Sequence, residues 1–192
     1  MATAEGQSGE EETFTVTVNP TTIELYRFCN TTTGTGTYLF VEEEERDAIL
    51  ANPDLSQAFK LEGVQEDGSV NSAFRASRQP GEGLIPFYRL RSSLQSGVYL
   101  FASTEEHQAV FAEDSPQKDK WIPEGLDDEG NDLAEFYLFP SGSGLGESFE
   151  RYHNRQNGGY LFVAQEESAA IAGHCDLSNI FMSEGEAFEA EA

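Results

Sequence analysis

Apolar and polar residues alternate strictly from Thr13 to Val18, which predicts a β-strand that Asn19-Pro20 ends. From there the pattern repeats three times. Each unit opens on a strand: Leu25–Asn30, Phe87–Ser92 or Phe149–Asn154. A polar loop ending in Gly36, Gly97 or Gly159 leads to a second strand, carrying Tyr38-Leu39-Phe40, Tyr99-Leu100-Phe101 or Tyr160-Leu161-Phe162. The interval between these triplets is a constant 61 residues. Two strands joined by a short glycine-containing loop predict a hairpin.

A short helix is predicted next, over Glu43–Asn52, Thr104–Glu113 and Gln165–Gly173. Ala48, Ile49 and Leu50 are expected on its inner side, and the glutamates of its first turn suit the positive end of the helix dipole. A third strand pairs an aromatic residue with a Glu-Gly step: Phe59 with Glu62-Gly63, Trp121 with Glu124-Gly125, Phe181 with Glu184-Gly185. Glycine at one fixed place predicts a bulge or a backbone angle closed to other residues. The fourth strand holds Phe74, Phe136 or Phe188; the loop before it is long in two units (Gln65–Ser72, Asp127–Ala134) and nearly absent in the third.

Three copies of one unit predict a single assembly. The fold class expected is mainly β with short helices, a pseudo-threefold β-trefoil-like assembly of three strand-strand-helix-strand-strand units. Residues 1–12 read as a disordered acidic lead and 13–192 as one domain, with repeats at about 24–77, 86–139 and 148–192. Residues 13–18 are either a strand that closes the ring or the tail of a preceding domain.

Charge narrows the partners. Against 35 acidic residues stand 11 basic ones, a formal charge of −24. That excludes a general nucleic-acid binder, because nothing offsets phosphate repulsion, and disfavours an anionic bilayer. Divalent cations, basic proteins or a saline medium remain. The 14 Phe and 7 Tyr supply a globular core despite the acidity. No apolar run reaches the roughly 18 residues of a membrane-spanning helix. The stretch 1–12 is unlike a secretory signal, so either the protein is cytoplasmic or Met1 opens an excised piece of a longer chain. Cys29 and Cys175 fall in the first and third units, neighbours in a closed ring, and are either one bridge or two free thiols.

Arg27, Arg89 and Arg151 recur at one place in every unit, as do Glu62, Glu124 and Glu184, and the helix residues Glu45, Glu106 and Glu167. Two readings fit. Each Arg either lines a ligand pocket, gripping a carboxylate or a sugar hydroxyl, or forms a partly buried ion pair that fixes its hairpin against its helix. Asp127, Asp128 and Asp132 crowd one loop and invite calcium, although the spacing of a calcium-binding loop is not met and a solvated acidic loop is the favoured reading. Trp121, Tyr137 and Tyr152 are the candidate sugar-stacking aromatics, with Trp121 also aligned to the core positions Phe59 and Phe181. The three histidines occupy unlike places and no nucleophile–base pair is evident, so catalysis is not expected.

The run LYRFCNTTTGTGTYLFVEEEERDAIL followed by FKLEGV resembles a bacterial surface-protein repeat of uncharacterised function, over about residues 24–192. Typical members carry His before the aromatic of the second strand; Thr37, Val98 and Gly159 stand there, so no role for that His transfers. The resemblance implies a secreted or cell-surface setting, beside enzymatic, calcium-repeat or adhesion domains. It also implies a non-catalytic binding role toward a carbohydrate or a surface protein, with a monomer expected. An acidic calcium-stabilised spacer is the alternative.

Overall fold

The computed structural model describes residues 22–33 and 36–191. The acidic lead and the 13–18 strand lie outside those residues. Among the described residues, eleven antiparallel strands and five short α-helices follow the repeat. The first unit comprises β1 (Thr22–Asn30), β2 (Thr37–Val41), helices α1 (Glu43–Ala51) and α2 (Pro53–Ala58), β3 (Phe59–Leu61) and β4 (Phe74–Ser77). The second comprises β5 (Ile85–Ser92), β6 (Tyr99–Ser103), α3 (Thr104–Phe111), β7 (Trp121–Pro123) and β8 (Phe136–Pro140). The third comprises β9 (Glu147–Asn154), β10 (Tyr160–Ala164), helices α4 (Gln165–Gly173) and α5 (Cys175–Ile180), and β11 (Phe181–Ala190).

In each unit the first strand is central. β1 pairs with β2 on one side and with β3 and β4 in succession on the other. β5 repeats this with β6, β7 and β8. In the third unit the last two strands fuse into β11, which follows β9 through register shifts at Ser183/Gly185 and Glu186/Phe188. The fusion has a simple cause. In the other units Gly63 and Gly125 launch hairpin excursions closed by Val64–Val70 and Leu126–Asp132 bridges, and the third unit lacks those residues. Gly63, Gly125 and Gly185 all have positive φ (78°, 83° and 91°), the conformation their fixed position predicts.

The units join through their fourth strands. Ser77 pairs with Tyr137, Phe188 with Pro140, and Arg75 with Glu191. Among the described residues no first strand pairs with the fourth strand of another unit, and the pairings form one large antiparallel sheet. Where they meet, Phe40, Phe101 and Phe162 pack with Phe74, Phe136 and Phe188, all at most 2% exposed. Ring centroids across units lie 5.1–6.1 Å apart, for example Phe40–Phe101 at 5.8 Å and Phe74–Phe188 at 5.1 Å. Aromatic contacts of this kind add to the area they bury.

Three local expectations are corrected. Only Ile49 of the Ala48–Leu50 run is buried, with Val110 and Ile171 at its place in the other units; neighbours 100° apart on a helix cannot share one face. The left-handed glycine that ends the third polar loop is Gly158, not Gly159. Helices α2 and α5 were not expected, although Asn52 caps α2 through Asp54 N and Leu55 N with Pro53 in the first turn. Cys29 and Cys175 are free thiols.

Candidate cleft between the second and third units

The repeated Arg and Glu residues meet at the seams between units. Arg27 binds Glu62 of its own unit at 2.6 Å and takes Glu167 of α4 in the third unit at 2.9 and 3.1 Å. Arg151 likewise binds Glu184 at 2.7 Å and Glu106 of α3 in the second unit at 2.5 Å. Arg89 donates to Glu45 of α1 in the first unit at 2.7 Å, and its Nε lies 3.0 Å from Glu124, off the direction of a hydrogen bond. All three guanidinium groups are largely buried and already partnered. The ion pair is therefore the reading the geometry fits, but the helix it engages belongs to the neighbouring unit. Cavities of about 160 Å³ and 290 Å³ remain beside Arg27 and Arg151. Beside Arg89 the carboxylate of Glu135 approaches to 3.2 Å, where the other units have Ala73 and Ala187.

A second set of seam contacts breaks the threefold pattern. At the end of β1, Asn30 Nδ2 donates to Gly97 O of the second unit at 3.4 Å, and Thr37 Oγ1 donates to the same oxygen at 2.5 Å. A Cβ on Gly97 would run into Asn30 Nδ2, and its φ is +76°, so this approach needs glycine. At the end of β9, Asn154 Nδ2 donates to Gly36 O of the first unit at 3.1 Å, and Asn157 Nδ2 to the same oxygen at 2.9 Å. Each Asn also turns its own loop, accepting from Thr32 N or Gln156 N at 2.9 Å.

At the end of β5 stands Ser92. Its hydroxyl accepts from Leu94 N and Gln95 N, which keeps the turn, but it is too short to reach the third unit. Val98 replaces the Thr37 hydroxyl as well. The seam stays open as a cleft of about 390 Å³, within the range of small-ligand sites. Ser92, Gln95, Lys120 and Trp121 of the second unit line it, with His153 and Tyr160 of the third. Trp121 is half-buried, whereas Phe59 and Phe181 at its place are 8% and 6% exposed. Its ring lies 6.3 Å from Tyr160, which packs tilted against His153 at 5.1 Å. Arg151 covers Tyr160 at 5.1 Å and fixes its ring. The arrangement offers apolar faces rimmed by hydrogen-bonding groups.

The other candidates lie elsewhere. Tyr152 is 4% exposed and bonds Ser168 at 2.9 Å; it is a core residue and is withdrawn as a stacking platform. Tyr137 lines a cavity of only about 60 Å³ where the fourth strands meet. Asp127 accepts from Glu129 N, Asn131 N and Asn131 Nδ2, which hold its carboxyl below the ordinary range, the Asn131 side chain foremost. Asp132 lies 2.7 Å from His107 Nε2, and Asp128 is exposed. Among the described residues no three acidic, His or Cys side chains are placed to hold a metal ion. No described helix is long and apolar enough to cross a membrane.

Of the cleft residues, only Trp121 stood out in the sequence. Ser92 against Asn30 and Asn154 was the visible signal for the rest. Compared with family models, curated proteins and solved structures, the chain has no match.

Proposed function

We propose that the protein is a non-catalytic carbohydrate-binding module of a secreted or cell-surface protein, with a single site in the cleft between the second and third units. The observation that carries this reading is Trp121: at a position where the other units bury Phe, this unit sets a wider ring in an open seam beside Tyr160. An apolar face framed by Ser92, Gln95 and His153 suits a sugar ring, whose C–H face stacks while its hydroxyls need partners. A trefoil-like lobe arrangement is the assembly proposed with it, supported by three equivalent units whose fourth strands converge.

A glycan array on the purified chain tests the reading, followed by calorimetry of a hit with Trp121→Ala and Trp121→Phe. The Ala variant is expected to lose tenfold or more in affinity, about 1.4 kcal/mol. Trp121→Phe restores the residue of the other units and controls for folding. A blank array, or binding indifferent to Trp121, overturns it.

A further inference from the structure

We infer that the sugar taken by this cleft is acidic, carrying a carboxylate or a sulfate; the inference rests on the proposed carbohydrate site and names its ligand class. The argument is one of charge distribution. The chain has a formal charge of −24, and its other described cavities each contain glutamate: Glu62 and Glu167 beside Arg27, Glu106 and Glu184 beside Arg151, Glu42 to Glu44 near Thr22, and Glu191 beside Tyr137. The lining of the Trp121 cleft contains no carboxylate, and it contains Lys120 and His153.

Most of the positive charge elsewhere is consumed. Arg27, Arg46, Arg75, Arg78, Arg89, Arg91 and Arg151 are all ion-paired within the protein. Glu124, the carboxylate that follows Trp121 on the same segment, is held by Arg89 and Arg91. Among the described residues Lys60, Lys118, Lys120 and Arg155 form no ion pair, and of these only Lys120 lines the cleft; Asp119 beside it is exposed to water. The protein's distant negative charge does not decide the matter, because the Debye length at physiological ionic strength is about 8 Å. An anion in the cleft feels Lys120 first. Trp121 would stack the ring while Lys120 meets the anionic substituent, a charge-assisted contact stronger than a neutral one.

The test compares neutral oligosaccharides (cello- and chito-oligomers) with oligogalacturonides and sulfated glycosaminoglycan oligomers of similar length. Each is titrated into the whole chain and into Lys120→Gln and Trp121→Ala, at low and physiological salt. The acidic set is expected to bind at least about tenfold more tightly, and Lys120→Gln to remove about that factor for acidic ligands alone. The two anionic series separate carboxylate from sulfate as the recognised group. Neutral sugars binding as tightly, with Lys120→Gln silent and Trp121→Ala inactive, overturns the acidic ligand while the carbohydrate site stands. Acidic binding that survives Trp121→Ala and fades with salt is non-specific adsorption and overturns both, as does an absence of binding to every set.

Discussion

Arg89 Nη1 lies 2.7 Å from Glu45 Oε2, tying the first strand of the second unit to the helix of the first. Removing Arg89 leaves Glu45, Glu124 and Glu135 facing one another around an empty position. Breaking a buried pair costs about 3–5 kcal/mol. Glu45 is 38% exposed, and solvent screening reduces that figure. Arg89→Ala is therefore expected to lose about 2 kcal/mol in urea unfolding, and a double-mutant cycle with Glu45→Ala to return a coupling of about 1 kcal/mol. Independent effects of the two substitutions would show that the seam does not depend on the pair.

Glu135 crowds the same site. Burial pushes its carboxyl above the ordinary range, Arg89 pulls it back, and Glu45 and Glu124 push it up again. With the folded value raised, its contribution to stability is present below the unfolded value near 4.5 and is lost as pH rises through the folded one. Glu135→Gln is therefore expected to melt above the parent protein near neutral pH, the gap closing below pH 4.5. A lower melting temperature at neutral pH would mean that the charge on Arg89 outweighs burial.

The open seam can be closed with the residues of its neighbours. Ser92→Asn with Val98→Thr supplies the amide and hydroxyl that Asn30 and Thr37 direct at Gly97 O, here toward the Gly158 carbonyl. The added bonds are expected to stabilise the fold by about 1 kcal/mol. Binding in the cleft is expected to fall at the same time. Opposite signs for stability and binding, read by calorimetry on one variant, separate a filled site from a damaged fold.

Glu189 anchors the linker between the second and third units, accepting from Ser143 Oγ and the Gly144, Leu145 and Gly146 amides. Those bonds, that of Ser143 foremost, lower its carboxyl to about 2. Because the folded value is depressed, the stabilisation is present above the ordinary value of 4.5 and is lost as pH falls toward 2. The melting difference between the parent protein and Glu189→Gln should shrink across that window. A difference constant with pH would assign the effect to packing.

Much of this was legible in the residues. The hairpins, the buried Leu-Phe pair of each Tyr-Leu-Phe triplet and the left-handed Gly63, Gly125 and Gly185 follow from the threefold repeat and its fixed glycines. The Arg and Glu pairing was legible in type but not in partner. Which helix Arg27 meets depends on the rotation between units, and no periodicity within one unit records that rotation. The cleft was harder still, since it arises from what Ser92 and Val98 lack. The buried hydroxyl of Tyr152 was missed because its alternation matches that of an exposed aromatic until Ser168 is brought beneath it.

The seam ion pairs run in one sense around the ring: the second unit draws on the first, the third on the second, and the first on the third. Each unit thus offers a guanidinium to one neighbour and a carboxylate to the other. This is head-to-tail association, which closes when the rotation comes to a third of a turn. One contact rule, a guanidinium on a first strand meeting a glutamate on a neighbouring unit's helix, thus serves all three junctions.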